Sequence, residues 1–283
     1  MKTIYGTLGD DLLNGSFGLD EIFGYDGNDT INGYAKRDTI HGGDGDDRIF
    51  TGSGPDVAYG GAGNDFIMDD LSTGGVSVLR GGDGDDVIRA GYGADIGPFP
   101  VRSVWWMFGD DGDDKLIAGE GGKAFLFGGA GRDILMMSSY GGGEAHGGAG
   151  NDILMSEHRS RINEEVELGD KYGPGASVIL DGGAGNDRLY GYSANFDTFV
   201  FRPGEGRDII HNLGTGDLYY DRIDLRAFNF DMSAEEVFAQ FGHERNDRII
   251  LKFAEDSQIH ILDTPYYGGT DISAQDVIDA LWL

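Results

Sequence analysis

Gly42-Gly43-Asp44-Gly45-Asp46-Asp47-Arg48-Ile49-Phe50 is the stretch whose reading decides the fold. Six glycine- and aspartate-rich residues, closed by Asp47, form a turn, and three residues centred on Ile49 form a short strand. The same nine-residue pattern recurs along the chain. Turns 6–11, 24–29, 42–47, 60–65, 81–86, 109–114, 128–133, 147–152 and 182–187 close in Asp11, Asp29, Asp47, Asp65, Asp86, Asp114, Asp133, Asp152 and Asp187. Two places after each closing Asp stands an aliphatic residue: Leu13, Ile31, Ile49, Ile67, Ile88, Leu116, Leu135, Leu154 and Leu189. Between Asp11 and Asp65 the closing residues advance in steps of 18, and interleaved turns close in Asp20, Asp38 and Asp56. A disordered acidic linker is also rich in Gly and Asp, but it does not fix an aliphatic residue at one place in every repeat. Nine residues are therefore half a coil, and eighteen bring the chain back to the same side.

The pattern G-G-x-G-x-D-x-U-x is that of calcium-binding parallel β-helix repeats, and the chain resembles the RTX (repeats-in-toxin, hemolysin-type) β-roll proteins. That resemblance implies an all-β fold, a right-handed parallel β-roll or β-helix solenoid, with a C-terminal β-rich cap. It also implies calcium between stacked turns, roughly 8–10 ions in all, each needing six to eight hard oxygen ligands. Glycine at the first, second and fourth turn positions permits positive φ and close backbone approach. The expected ligands are the nine closing Asp residues, with Asp20, Asp38 and Asp56 on the opposite side. Main-chain carbonyls would come from turn backbone at Gly24, Gly27, Gly42, Gly43, Gly45, Gly60, Gly61, Gly63, Gly81, Gly82 and Gly84. Later turns add Gly109, Gly112, Gly128, Gly129, Gly131, Gly147, Gly148, Gly150, Gly182, Gly183 and Gly185.

Composition agrees. Among 283 residues there are 51 Gly, and 50 acidic against 21 basic residues leave a formal charge of −29. Such a chain does not bind nucleic acid, or an anionic membrane, by net electrostatics alone. Calcium in eight gaps would return about +16, so folding and metal binding are expected to be one event. With no cysteine, disulfides, zinc ribbons and thiol nucleophiles are excluded. The N-terminus enters the repeat at once without an apolar signal segment. Proteins that look like this are exported by type I secretion through an uncleaved C-terminal region, which points to an extracellular location in a Gram-negative bacterium.

Residues 1–190 are expected to be roll and 191–283 cap plus secretion signal. Within the roll, 1–67 is regular, whereas 68–181 has one edge elaborated by insertions in 68–80, 90–108, 118–127, 137–146 and 156–181. On that edge Asp95 survives as a closing residue and Lys123 replaces one. Ser233 and Ser273 read as starts of short helices, and 248–253 with 258–262 as a β-pair. The elaborated edge is the candidate working surface. It carries Trp105, Trp106 and Arg159 as candidate ligand contacts, and His146, His158, Arg161 and Tyr172 as candidate catalytic groups.

Neither His-Glu-x-x-His, nor a Gly-x-Ser-x-Gly elbow, nor a phosphate loop occurs in the chain. The expectation is a non-enzymatic, calcium-dependent secreted protein that binds at a cell surface or in exopolysaccharide, similar in layout to the nodulation-secreted RTX proteins of rhizobia. The alternatives are a calcium-dependent lyase or epimerase on acidic polysaccharide, and a scaffold whose one ligand is calcium.

Overall fold

The computed structural model describes residues 1–70, 74–91, 103–119, 122–138, 141–156, 177–191, 196–216, 219–245, 248–262 and 272–283. Each turn reverses the chain, so successive strands alternate between two parallel sheets. Sheet I opens with Lys2–Tyr5, Asp20–Asp26, Thr39–Asp44 and Val57–Ala62. It continues through Gly75–Asp83, Ser103–Asp111, Gly122–Ala130, Gly143–Gly150 and Val178–Gly185. Sheet II runs from Leu12–Ser16, Thr30–Tyr34, Arg48–Gly52, Phe66–Asp69 and Val87–Ala90 to Lys115–Ile117, Ile134–Met136, Ile153–Met155 and Arg188–Tyr190. Every strand pairs in parallel with the strand one coil further on. The all-β roll is the fold the repeat demanded.

Two inward columns make the core. Sheet II supplies the expected aliphatic residues from Leu13 to Leu189, and sheet I opposes them with Ile22, Ile40, Ala58, Leu79, Met107, Leu126, Ala145 and Leu180, all buried. A coil of eighteen residues thus encloses about two large aliphatic groups, each contributing roughly 1.5–3 kcal/mol. So thin a core leaves much of the cross-linking to the turns.

The elaborated segments contain less insertion than their lengths suggest. Residues 75–80, 103–108, 122–127, 143–146 and 178–181 are sheet I strand in continuous register. Register also corrects one sequence assignment. Ser77, Trp105, Ala124, Gly143 and Val178 follow Asp56 at the closing position of the second edge. Lys123 lies one place earlier and points outward. Asp95 lies outside the described residues.

The sheets cross residue 190 without a break. Thr198–Val200 and Arg222–Asp224 extend sheet I, and Gly206–His211 extends sheet II. Ser257–Leu262 adds one more parallel strand to sheet II, after which Arg248–Ala254 and Gly242–Arg245 pair antiparallel. This reversal ends parallel coil growth. Helices α1 (Ala234–Phe241) and α2 (Ala274–Ala280) begin in capping boxes at Ser233/Glu236 and Ser273/Asp276 and bury Val237, Val277 and Ala280. Together they form the cap that a solenoid requires. Among the described residues, no helix is long and apolar enough to cross a membrane.

Candidate metal sites

The closing Asp residues of the first edge share one geometry. The backbone N–H of each donates to Oδ1 of its counterpart in the next coil, from Asp11 to Asp29 (2.8 Å), Asp29 to Asp47 (2.7 Å) and Asp47 to Asp65 (2.8 Å). The relay passes Asp86, Asp114, Asp133 and Asp152 and reaches Asp187 at 2.7–2.8 Å. Each carboxylate therefore has one oxygen engaged. Its other oxygen, Oδ2, is buried without a hydrogen-bond partner at Asp29, Asp47, Asp65, Asp86, Asp114, Asp133, Asp152 and Asp187.

Burying a charged oxygen with no partner is costly. Burial accordingly raises these carboxyls from 3.8, outweighing the N–H bond that each accepts. Asp47, Asp114 and Asp152 rise to about 6, Asp65 and Asp133 to about 7, and Asp86 and Asp187 to about 8.

The turn backbone closes around these oxygens. A Cβ at Gly42 would fall on Asp47 Oδ2 and on the carbonyl oxygen of Gly60, and the same holds at Gly24 with Asp29 and Gly42. At Gly43, φ is +131°, and a Cβ there would strike the carbonyl of Tyr25 one coil below. Glycine therefore leaves a cradle lined by carboxylate and carbonyl oxygen. No described site gathers three side-chain ligands, since two carboxylates flank each gap and the backbone supplies the remaining donors. An anionic, all-oxygen set fits a hard divalent cation such as calcium and offers nothing to a soft metal.

The second edge repeats this over a shorter span. Asp20 and Asp38 N–H donate to Asp38 and Asp56 Oδ1 at 2.8 and 2.7 Å, and the Oδ2 atoms of Asp38 and Asp56 are buried without partners. Burial raises both carboxyls to about 7.

The RTX calcium-binding nonapeptide repeat matches residues 5–40, 23–58, 41–68, 72–96, 106–122, 144–157 and 178–195. The chain carries RTX calcium-binding nonapeptide repeats over these segments. No curated protein matches it. Among solved structures, the extracellular lipase LipA from Serratia marcescens aligns with 99% of this chain and 40% of its own, at 19% identity and a TM-score of 0.24. The RTX chain thus spans well under half of that lipase.

Several parts of this RTX roll escape the nonapeptide reading. Asp187 N–H donates to Asp208 Oδ1 at 3.0 Å, so the first ladder runs one coil further. The turn ending at Asp208 has Pro203 in the first glycine place but keeps Gly204 and Gly206 at the second and fourth, which was the available signal. Outside the ladder stands a column of fifth-position residues. Asn28, Asp46, Asn64, Asp85 and Asp113 each donate N–H to the side chain one coil below at 2.7–2.9 Å. In the first coil, Asp11 Oδ2 accepts from Thr7 N–H and hydroxyl at 2.6 and 2.9 Å, and Asp20 Oδ2 from Ser16 likewise at 2.5 and 2.8 Å. Turn hydroxyls therefore satisfy the oxygens that lie bare in the interior coils.

The second edge stops where Asp gives way to Ser77, whose hydroxyl accepts from Asp56 N–H at 3.1 Å. In the next coil Trp105 is fully buried, with its indole N–H on Asp69 Oδ2 at 2.7 Å, and Thr51 donates to Asp69 Oδ1 at 2.5 Å. Trp105 therefore belongs to the core and is corrected from a candidate ligand contact. Trp106 faces outward and is partly buried. Phe125 stacks on it at 4.2 Å, and Val78 adjoins it in register on the other side.

His146 stacks on Phe127 and has both ring nitrogens engaged, Nδ1 with Asp181 at 3.2 Å and Nε2 with Glu144 at 3.3 Å. Asp181 also receives both NH groups of Arg202, at 2.8 and 2.7 Å. The bond to Asp181 raises the imidazole above 6.5 despite burial. His146, Asp181 and Arg202 together tie the roll to the cap. His158, Arg159, Arg161 and Tyr172 lie outside the described residues.

Proposed function

We propose that this protein folds as calcium enters its turns outside the cell, and that the folded roll acts by binding at a cell surface. Asp11, Asp29, Asp47, Asp65, Asp86, Asp114, Asp133, Asp152, Asp187 and Asp208 would hold calcium on the first edge, and Asp20, Asp38 and Asp56 on the second. What carries this reading is the row of buried, unpartnered Oδ2 atoms at every interior closing Asp from Asp29 to Asp187. Their repulsion and desolvation oppose coil closure, and calcium supplies the positive charge that removes both costs.

The residues divide the labour. In the interior coils Oδ1 ties one coil to the next through an N–H, glycine lets carbonyls approach, and Oδ2 stays available to the ion. Extracellular sites work at roughly 10⁻⁴–10⁻³ M, far above cytosolic calcium, which suits a chain that stays open until export. Far-UV circular dichroism during a calcium titration tests the reading. The expected result is a cooperative gain of β signal, and a fully folded spectrum in excess EGTA would overturn it.

A further inference from the structure

The outer face of sheet II is unlike the rest of this acidic chain. From Phe66–Asp69 to Gly206–His211, the outward strand positions after each closing Asp include no acidic residue. Its centre is aliphatic and sulfur-bearing, with Ile117, Ile134, Met136, Ile153 and Met155 half-buried side by side in register. Basic residues stand at both ends of this block, Arg89 and Lys115 on one side and Arg188 on the other, all exposed.

No ion pair to Arg89, Lys115 or Arg188 occurs among the described residues, in a chain with 50 acidic side chains. Among the other described basic residues, Arg80, Arg132, Arg202, Arg226 and Lys252 each have a carboxylate, whereas Arg37, Arg48 and Lys123 show no ion pair either. The acidic fifth-position column also ends beside this face, giving way after Asp113 to Arg132, Asn151, Asn186 and Arg207.

We propose that this face docks the calcium-loaded roll on an anionic phospholipid bilayer. The aliphatic block would meet the headgroup–acyl boundary, and Arg89, Lys115 and Arg188 would meet lipid phosphates. The proposal rests on the calcium-folded reading above and gives its cell surface a chemistry.

Three observations favour lipid over other partners. Seven strands about 4.8 Å apart make a strip roughly 29 Å long, and its backbone groups are consumed by ladder hydrogen bonds. Between Lys115 and Arg188 its outward side chains contain no hydrogen-bonding group, whereas protein interfaces carry about one such bond per 100–200 Å² and sugars require more. Unpaired cations bordering an apolar strip match a surface that binds by buried apolar area plus attraction to anionic headgroups. Calcium bound in the turns would also weaken the long-range repulsion that the −29 chain meets at such a membrane.

Flotation with phosphatidylcholine vesicles, with and without about 30% phosphatidylglycerol to supply a negative surface potential, tests this in calcium. Three proteins are compared: wild type, Ile134→Asp/Met155→Asp, and Lys115→Glu/Arg188→Glu. A Thr39→Asp variant on sheet I is the control. A calcium titration by circular dichroism accompanies each, so failure to fold is read separately from failure to bind.

Wild type and control are expected to float with the anionic vesicles only. The charge-reversed pair should lose roughly thirtyfold or more in affinity, at about fivefold per basic residue at the surface, and the aspartate pair should not float. Equal flotation of all four proteins would place binding on calcium bridges from the acidic edge and overturn the proposal. So would a folded wild type that ignores anionic vesicles. A calcium-dependent dimer lost in the same variants, without vesicle binding, would make the face a contact between copies and overturn it too.

Discussion

Asp47→Asn should change the stability of this protein in opposite directions with and without calcium. The substitution keeps an oxygen to accept the Asp29 N–H and removes the charge next to the unpartnered Oδ2. Without calcium the carboxylate is a burden, because burial carries its pKa from 3.8 to about 6. At neutral pH that costs the folded protein up to about 3 kcal/mol, which asparagine relieves. With calcium, Asp47 borders two gaps, those shared with Asp29 and Asp65. At about 10 mM calcium, a site of 10⁻⁴–10⁻³ M contributes roughly 1.4–2.7 kcal/mol, so losing two costs roughly 3–5 kcal/mol. Thermal melts of wild type and variant in calcium and in EGTA, at one pH, measure both effects. If the variant were destabilised equally in both buffers, Asp47 would be an ordinary turn residue and the calcium assignment would fail.

Acid should partly replace calcium. Carboxyls whose folded pKa is raised favour the folded state most below 3.8 and lose that contribution as pH rises through their folded values, here about 6–8. In EGTA, lowering the pH from about 8 to about 5 should increase β structure by circular dichroism, and a flat profile would count against the buried ladder. Asp181→Asn should destabilise the junction of roll and cap. Hydrogen bonds from His146 and Arg202 hold Asp181 at about 2 although burial pushes it up. Because Arg202 is 45% exposed, the expected loss is only about 1–2 kcal/mol. This contribution is present above 3.8 and disappears as pH falls towards 2, so variant and wild type should converge in acid melts. Trp105→Phe should cost about 1–3 kcal/mol by leaving the Asp69 carboxylate short of a donor. Calcium affinity of the first edge should not change, which isothermal titration would check.

The nonapeptide made the first edge legible before any coordinates. Local glycines set each turn, and Ile49 and its counterparts show which side of each strand is buried. The C-terminal helices were equally legible, because Ser233/Glu236 and Ser273/Asp276 carry their capping chemistry within four residues. Where the signal was local, the sequence and the structure agree.

What the sequence by itself determined is the repeat, and with it the parallel roll, the aliphatic columns, the ladder from Asp11 to Asp187 and the need for calcium. Only the tertiary structure decided how coils separated by 19 to 35 residues align. That alignment puts Ala124 rather than Lys123 at a closing position, sends Trp105 inward to Asp69, joins Asp208 to the ladder, and gathers Arg89, Lys115 and Arg188 around one apolar face. The physical reason is the range of the forces involved. Turn conformation is fixed by residues within the turn, whereas register across a variable loop is fixed by stacking the next coil on the last, with its buried side chains and ladder hydrogen bonds in place.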